Sequence, residues 1–149
     1  GRLMVGEVLR LYVAFVHRQP MREVAEVEAV ADKGFQGCVH GRPGSKRQVL
    51  LMDMETLEAM GIEPGRVKEN ITTRGLKVQE LTQGQRLRVG EALLDVTGPC
   101  GPCDRMNEIR PGLEQELRGR RGTLCRVLEG GRIRRGDRVE VLEAAVAPI

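Results

Sequence analysis

Two cysteines separated by two positions, Cys100 and Cys103, are the residues best suited to chemistry in this sequence. They follow an apolar run at 92–97 that is typical of a β-strand, and they precede a segment that can begin a helix at Asp104. Amide groups at the start of a helix stabilise negative charge, so this position favours the thiolate form of Cys103. Three chemistries fit the spacing: a redox-active dithiol, half of a zinc site, or one reactive thiol that binds a metal-containing cofactor.

The dithiol hypothesis rests on the residue order Cys-Gly-Pro-Cys, which is also that of thioredoxin. A thioredoxin-like domain requires a parallel βαβ unit ahead of the motif, and the motif lies early in that domain. Here the motif comes two-thirds of the way along the chain, after a series of short strands. The letters therefore match a dithiol, whereas the context favours another use of the thiols.

A zinc site would combine the same two thiols with Cys38 and His40, which gives an acceptable set of four ligands. The one-residue spacing between Cys38 and His40 is unusual for structural zinc, and a domain of this size does not need a metal to fold. The remaining cysteine, Cys125, lies within an apolar strand and is expected to be a small core residue.

Basic and polar residues cluster in three separate segments, at 40–47, 68–74 and 103–105. Arginine and lysine beside a glycine-rich backbone suit a phosphate-bearing ligand, because guanidinium groups donate paired hydrogen bonds and glycine lets amides approach. A thiolate next to such an anion site would suit a thiophilic metal or a sulfur transfer. The three segments are therefore expected to converge on one binding site.

Composition narrows the classes to which the chain can belong. With 149 residues it has the size of one ordinary domain that buries a core without disulfides. Its 24 basic and 21 acidic side chains nearly balance and aromatic residues make up only 2%, which argues against a nucleic-acid partner. Four unevenly spaced cysteines fit a reducing, cytoplasmic compartment. The start does not resemble a signal peptide and no run of about 18 apolar residues occurs, so no membrane association is expected.

Short apolar segments predict a mainly β fold with a few short helices. Asp53 can cap a helix of about two turns that ends at Gly61, and further helical turns are predicted at 104–109 and 113–117. Turns at 90–91 and 130–131 separate neighbouring strands, which indicates antiparallel pairing and a barrel. Residues 144–149 are expected to form a tail. Strands are predicted at 4–16, 23–30, 48–52, 68–73, 87–89, 92–97, 124–128 and 138–142.

Several motifs occur in the same order as in one known family. They are Gly37-Cys38-Val39-His40, Arg47-Gln48-Val49, Glu69-Asn70-Ile71-Thr72, Arg86-Leu87-Arg88-Val89-Gly90, Pro102-Cys103, residues 128–131 and Gly136-Asp137. On these residues the chain resembles the MOSC domain, named after the C-terminal domain of molybdenum cofactor sulfurases, and in particular its small stand-alone bacterial members. The resemblance extends from about Val5 to Val141, within a single domain that is expected to cover residues 1–149.

The resemblance implies a mainly β fold, a closed or partly closed antiparallel β-barrel similar to the barrel domain of pyruvate kinase. It also implies binding of the molybdenum cofactor, molybdopterin, through the phosphate of the pterin. Cys103 occupies the position of the family cysteine that serves as a metal ligand or as a sulfur carrier. The residues that the resemblance assigns to the cofactor pocket are Arg47, Asn70, Arg105, His40 and Lys68.

Family members with known activity reduce N-hydroxylated compounds or deliver sulfur, so the resemblance implies one of these activities, with a non-catalytic cofactor carrier as the alternative. Sulfur would come from a partner such as a cysteine desulfurase, because no pyridoxal-phosphate domain is expected within this chain. For the reductase activity the expected partner is an electron-donor protein. No oligomeric state follows from the residues. Cys38 stands where the family has an acidic residue, so this chain replaces that carboxylate with a second thiol.

Overall fold

The computed structural model describes residues 4–101 and 103–142, so Pro102 and the tail predicted at 144–149 lie outside the described residues. Two short α-helices, α1 (Met54–Met60) and α2 (Leu113–Glu116), accompany 3-10 turns at Val78–Glu80 and Asp104–Glu108. The strands are β1 (Val5–Val13), β2 (Arg22–Val24), β3 (Glu26–Val30), β4 (Gly34–Phe35), β5 (Val49–Asp53), β6 (Ile71–Arg74), β7 (Arg86–Val89), β8 (Ala92–Pro99), β9 (Thr123–Glu129), β10 (Gly131–Arg134) and β11 (Arg138–Leu142).

Seven of the described strands close into a barrel in the order β1-β6-β5-β9-β8-β7-β11, and β11 pairs back onto β1. The predicted barrel is therefore confirmed. Its strand orientation is mixed, because β5 and β6 run parallel while the other six neighbouring pairs are antiparallel. A parallel pair needs a crossover connection. Residues 54–70, which include α1, provide that connection and return the chain to the same end of the barrel.

Aliphatic side chains fill the interior of the barrel. Leu11, Leu51, Ile71 and Leu94 are completely buried there, and each such side chain stabilises the fold by roughly 1.5–3 kcal/mol. Cys125 lies among them with no exposed surface, as predicted for a core residue. Burial raises the pKa of the Cys125 thiol far above its ordinary value, so this cysteine carries no thiolate at neutral pH.

A second, three-stranded sheet in the order β10-β3-β4 packs beside the barrel. The single strand predicted at 23–30 is split at Ala25, whose carbonyl accepts a hydrogen bond from the Arg135 amide (3.1 Å). Its first part, β2, extends the barrel sheet at β1, and its second part, β3, pairs with β10. The prediction placed Gly131 in a turn and assigned no strand to the following residues, yet β10 begins there, with the glycine packed closely against Glu91.

The short helices form a layer outside the barrel, next to the segment that contains Cys103. Asp53 accepts a hydrogen bond from the Thr56 amide (3.0 Å) at the start of α1, and Gly61 ends the helix in a left-handed conformation, both as predicted. No helix in the described part of the chain is both long and apolar enough to span a membrane. A small core joins α1, the turn at 104–108 and α2 through Met52, Leu57, Met60, Ile62, Val67, Met106, Leu113 and Leu117.

The basic loop at 36–48 is ordered by the side chain of Gln48, which is almost completely buried. Its amide nitrogen donates to the Arg42 carbonyl (3.2 Å) and to Asp32 Oδ1 (3.3 Å), and its amide oxygen accepts from the Val127 amide (3.0 Å). These bonds connect the loop to β9. The loop therefore has a defined conformation, although three of its residues, Gly37, Gly41 and Gly44, are glycines.

The turn before β6 is built around the buried carboxyl group of Glu69. Its Oε2 accepts hydrogen bonds from the Gly65 amide (2.9 Å) and the Thr72 hydroxyl (2.8 Å), whereas Oε1 has no partner among the described residues. Burial raises the pKa of Glu69 above its ordinary value, because a carboxylate is costly in apolar surroundings. This turn holds Lys68 at a φ of +69°, a left-handed conformation that is uncommon for lysine.

Substituting Gly122 tests how tightly the start of β9 is fixed. Gly122 has a φ of +109°, and its carbonyl accepts the Cys100 amide (2.9 Å). A Cβ at this position would collide with the Leu51 carbonyl oxygen. We expect Gly122→Ala to lower the free energy of unfolding by about 3 kcal/mol or more, from strain and overlap together.

Gly119→Ala is the matched control, since Gly119 also has a positive φ (+82°) but has open space around its Cβ position. Backbone strain alone should cost about 1 kcal/mol there. Urea denaturation measures both variants. Equal losses of stability would contradict the close packing of Gly122 against β5.

Replacing Glu69 tests the cost of its burial. Glu69→Gln keeps both accepted hydrogen bonds without a charge and should raise the free energy of unfolding at neutral pH by about 1–3 kcal/mol. Because the folded-state pKa is raised, wild-type stability falls as the pH rises from the ordinary value of 4.5 toward the folded-state value. The advantage of the variant should grow over that interval in urea denaturation curves. A difference that does not change with pH would contradict this account.

Candidate functional site

A cavity of about 470 Å³ lies between the basic loop, the turn before β6 and the end of β8. The three segments that the sequence predicted to converge do meet at this cavity. Each of the predicted site residues borders it, namely Cys103, Arg47, Asn70, Arg105, His40 and Lys68. The structure shows that these residues line one cavity, whereas their roles remain predictions.

The two thiols of the Cys-Gly-Pro-Cys motif differ strongly in exposure, although both border the cavity. Cys103 is exposed and immediately precedes the 3-10 turn, where its carbonyl accepts the Met106 amide (3.0 Å). Cys100 is buried, and its sulfur lies 3.9 Å from Nη2 of Arg47. The described cysteines form no disulfide, and the strands that flank the motif, β8 and β9, pair antiparallel rather than in a βαβ unit.

The zinc hypothesis receives no support from the geometry. Within the described residues, no three histidine, cysteine or acidic side chains are placed to hold a metal ion together. Cys38 is buried against the barrel core, and its sulfur accepts a hydrogen bond from the Asn70 amide group (3.5 Å). The second thiol that replaces the acidic residue of the family is therefore used in packing.

Asn70 joins three parts of the fold at the floor of the cavity. Its side-chain oxygen accepts the Leu50 amide (3.0 Å), and its side-chain nitrogen donates to the Tyr12 carbonyl (3.2 Å). The side chain is 3% exposed, and these bonds occupy its polar atoms. Asn70 therefore shapes the cavity by fixing β1 to the start of β5.

Positive charges at the cavity wall repel one another. Lys68 donates to the Gln19 carbonyl (3.1 Å), and burial together with the charges of Arg105 and Arg66 lowers the pKa of its amine. His40 is exposed, and its ring centroid lies 6.3 Å from that of His17. Partial desolvation of the ring and the charges of Lys68 and His17 lower the pKa of His40, so its imidazole is uncharged at neutral pH. An anion in the cavity would relieve this repulsion.

Arg121, which the sequence interpretation did not single out, is the most unusual residue of the site. It is only 5% exposed, it borders the cavity, and its Nε and Nη1 atoms have no hydrogen-bond partner among the described residues. A buried guanidinium without partners is costly unless an anion compensates it. The available sequence signal was the pair Arg120 and Arg121, which stands directly before Gly122 and strand β9.

Comparison with known proteins agrees with the fold. YuaD from Bacillus subtilis superimposes with a TM-score of 0.81 at 20% identity, over 94% of this chain and 97% of that protein. YiiM from Geobacillus stearothermophilus gives 0.74 at 22% identity, over 95% and 77%. YiiM from Escherichia coli gives 0.71 at 21% identity, over 100% and 73%. These likenesses establish the fold alone.

Sequence comparison identifies the family. No curated protein sequence matches the chain significantly. The model of the MOSC domain, a family associated with molybdenum-cofactor binding and cofactor sulfurases, matches residues 36–140, which span all the predicted site residues and Arg121. This chain therefore belongs to the MOSC domain family.

Proposed function

We propose that this protein binds the molybdenum cofactor in the 470 Å³ cavity, with Cys103 as metal ligand or persulfide carrier. The observation that carries the proposal is the buried, unpartnered guanidinium of Arg121 in the same cavity as an exposed thiol. The first property calls for an anionic ligand and the second for a soft metal or sulfur. A phosphate-bearing molybdenum cofactor satisfies both.

The phosphate of the cofactor would be held by the basic wall. Among the described residues that line the cavity there is no carboxylate. The charge of Arg121 interacts with the buried carboxyl group of Glu69, but burial raises the pKa of that group and so weakens this compensation. Guanidinium groups can bind phosphate oxygens in pairs, whereas lysine contributes a point charge. The cationic residues of the wall are Arg42, Arg47, Lys68, Arg105 and Arg121.

The thiol side of the cavity would provide the chemistry. When bound, the cofactor supplies a redox-active, thiophilic molybdenum centre. Cys103 offers a sulfur atom at the cavity wall without competition from a disulfide. His40 borders the same cavity, is uncharged at neutral pH and can therefore accept a proton there. Asn70 would keep the shape of the cavity through its bonds to Leu50 and Tyr12.

These groups suit two uses of the thiol. In sulfur transfer, Cys103 would carry a persulfide sulfur received from a cysteine desulfurase. In reduction of N-hydroxylated compounds, Cys103 would remain a metal ligand while an electron-donor protein supplies electrons. A turnover assay with an artificial electron donor separates reduction from sulfur transfer and from simple cofactor carriage.

Replacing each thiol in turn tests the cysteine assignment. Cys103→Ser should lower the molybdenum retained by protein from a cofactor-producing host by about tenfold or more, since even residues that only orient a ligand contribute about 10–100-fold. Cys100→Ser is the control, because Cys100 borders the same cavity but is buried. Metal analysis measures retention, and mass spectrometry detects an added sulfur atom. Full retention of molybdenum and activity in Cys103→Ser would contradict the assignment.

Arg121→Gln tests the anion site without removing a thiol. Loss of a charged hydrogen-bond donor costs about 1.5–3 kcal/mol, so cofactor affinity should fall roughly 10–100-fold. Arg120→Gln is the matched control, because Arg120 is exposed and lies outside the cavity wall. The pterin content of purified protein, measured by fluorescence after oxidation, reports the difference. Equal pterin content in the two variants would argue against Arg121 as a phosphate ligand.

A further inference from the structure

A second cavity, of about 420 Å³, adjoins the first on the far side of a shared wall. Each cavity alone has a volume within the range that binds small molecules and cofactors. The wall is formed by the residues that border both cavities, namely His40, Lys68, Cys103, Arg105 and Arg121. Three of these five side chains are cationic.

The charge around the two cavities differs from that of the whole chain. Basic and acidic residues nearly balance overall, with 24 against 21. Among the described lining residues the only carboxylate is Glu108, whose side chain is 74% exposed. Seven cationic side chains line the combined space, namely Arg18, Arg42, Arg47, Arg66, Lys68, Arg105 and Arg121.

Six of these seven cations have no ion-pair partner among the described residues. Within the described part of the chain only Arg105 has one, Glu108, at 3.9 Å. Elsewhere on the surface arginine is commonly paired with a carboxylate. The paired arginines are Arg10, Arg74, Arg88, Arg110, Arg126, Arg132, Arg134, Arg135 and Arg138. Two carboxyl groups act on these seven cations, Glu108 on Arg105 and Lys68 and the buried Glu69 on Arg121. The remaining positive charge still exceeds what one phosphate monoester would neutralise and favours a ligand with more than one phosphate.

Beyond the shared wall the second cavity is mostly apolar. The Tyr12 ring forms part of it and is fixed by close packing against Gly65, where a Cβ would lie 2.8 Å from the ring. Burial raises the pKa of the Tyr12 phenol to about 12, so the ring is uncharged. Flat apolar walls with a few polar groups suit a planar heterocycle. The other apolar wall residues are Pro20, Met21, Pro64, Met106 and Ile109.

We propose that the shared wall binds a diphosphate and that the second cavity holds the nucleoside of a nucleoside diphosphate group. This group has two possible sources. It can be a nucleotide extension of the cofactor, in which case the inference rests on the proposed function, with the pterin in the first cavity. It can also be a free nucleotide that binds beside the cofactor.

Calorimetry on the cofactor-free protein tests the site directly. The probes are the diphosphates of guanosine, adenosine and cytidine, with inorganic pyrophosphate as the reference. Burial of the base against the apolar wall should make at least one nucleoside diphosphate bind about tenfold more tightly than pyrophosphate. Equal affinity of pyrophosphate and all three nucleotides would overturn the inference.

Two apolar truncations locate the nucleoside. Met21→Ala truncates a side chain that borders the second cavity but not the first. The variant should lose most of the preference for the nucleotide over pyrophosphate, while its affinity for pyrophosphate stays unchanged. Val39→Ala is the control, because Val39 borders the first cavity only. Denaturation curves check that both variants are folded. A preference lost in Val39→Ala and kept in Met21→Ala would place the nucleoside in the first cavity and contradict the proposal.

Analysis of the holo-protein separates the two sources. Acid hydrolysis and chromatography should release one nucleoside monophosphate per molybdenum if the nucleotide belongs to the cofactor. Molybdenum without nucleotide, combined with tight nucleotide binding in calorimetry, supports the free nucleotide. Tight nucleotide binding by a protein that never contains molybdenum contradicts the proposed function but supports this inference. A holo-protein that contains molybdenum but shows no preference for nucleotides in calorimetry would support the proposed function and contradict this inference.

Discussion

The buried guanidinium of Arg121 imposes the main constraint on this structure. A charge that is 5% exposed, with two nitrogen atoms unpartnered among the described residues, is tolerated only if the surrounding fold holds it in place. Gly122 provides that rigidity, because its backbone accepts the Cys100 amide and donates to Gln79. The same bonds set the position of the thiol segment. Anion binding and thiol placement are thus linked through one short stretch of backbone.

The parallel pair of β5 and β6 brings Asn70 and Lys68 to the cavity that Arg121 also borders. Because β5 and β6 run in the same direction, the crossover at 54–70 ends in a turn beside the basic loop rather than at the opposite end. Asn70 then connects Tyr12 and Leu50, and Lys68 adopts its left-handed conformation at the cavity. The helical layer supports the segment after Cys103. An antiparallel barrel without this crossover would separate these groups.

Local sequence signals predicted much of the fold, because capping and turn residues act on their neighbours. Asp53 and Gly61 delimit α1 as expected, and the hairpin at Gly90 is present. The split at Ala25 and the strand β10 were not predicted, because they depend on pairing between segments about 100 residues apart. The motifs located the cavity, but Arg121 was missed, since its importance comes from burial and missing partners. No spacing pattern encodes those properties.

The central claim is that the cavity binds a phosphate-bearing molybdenum cofactor against Arg121 and Cys103. The most direct test is a crystal structure of the holo-protein from a cofactor-producing host, with anomalous diffraction measured at the molybdenum absorption edge. The account predicts an anomalous peak in the first cavity beside the Cys103 sulfur, and phosphate density in contact with the Arg121 guanidinium. A molybdenum peak elsewhere on the protein, or stoichiometric molybdenum with an empty basic wall, would contradict it.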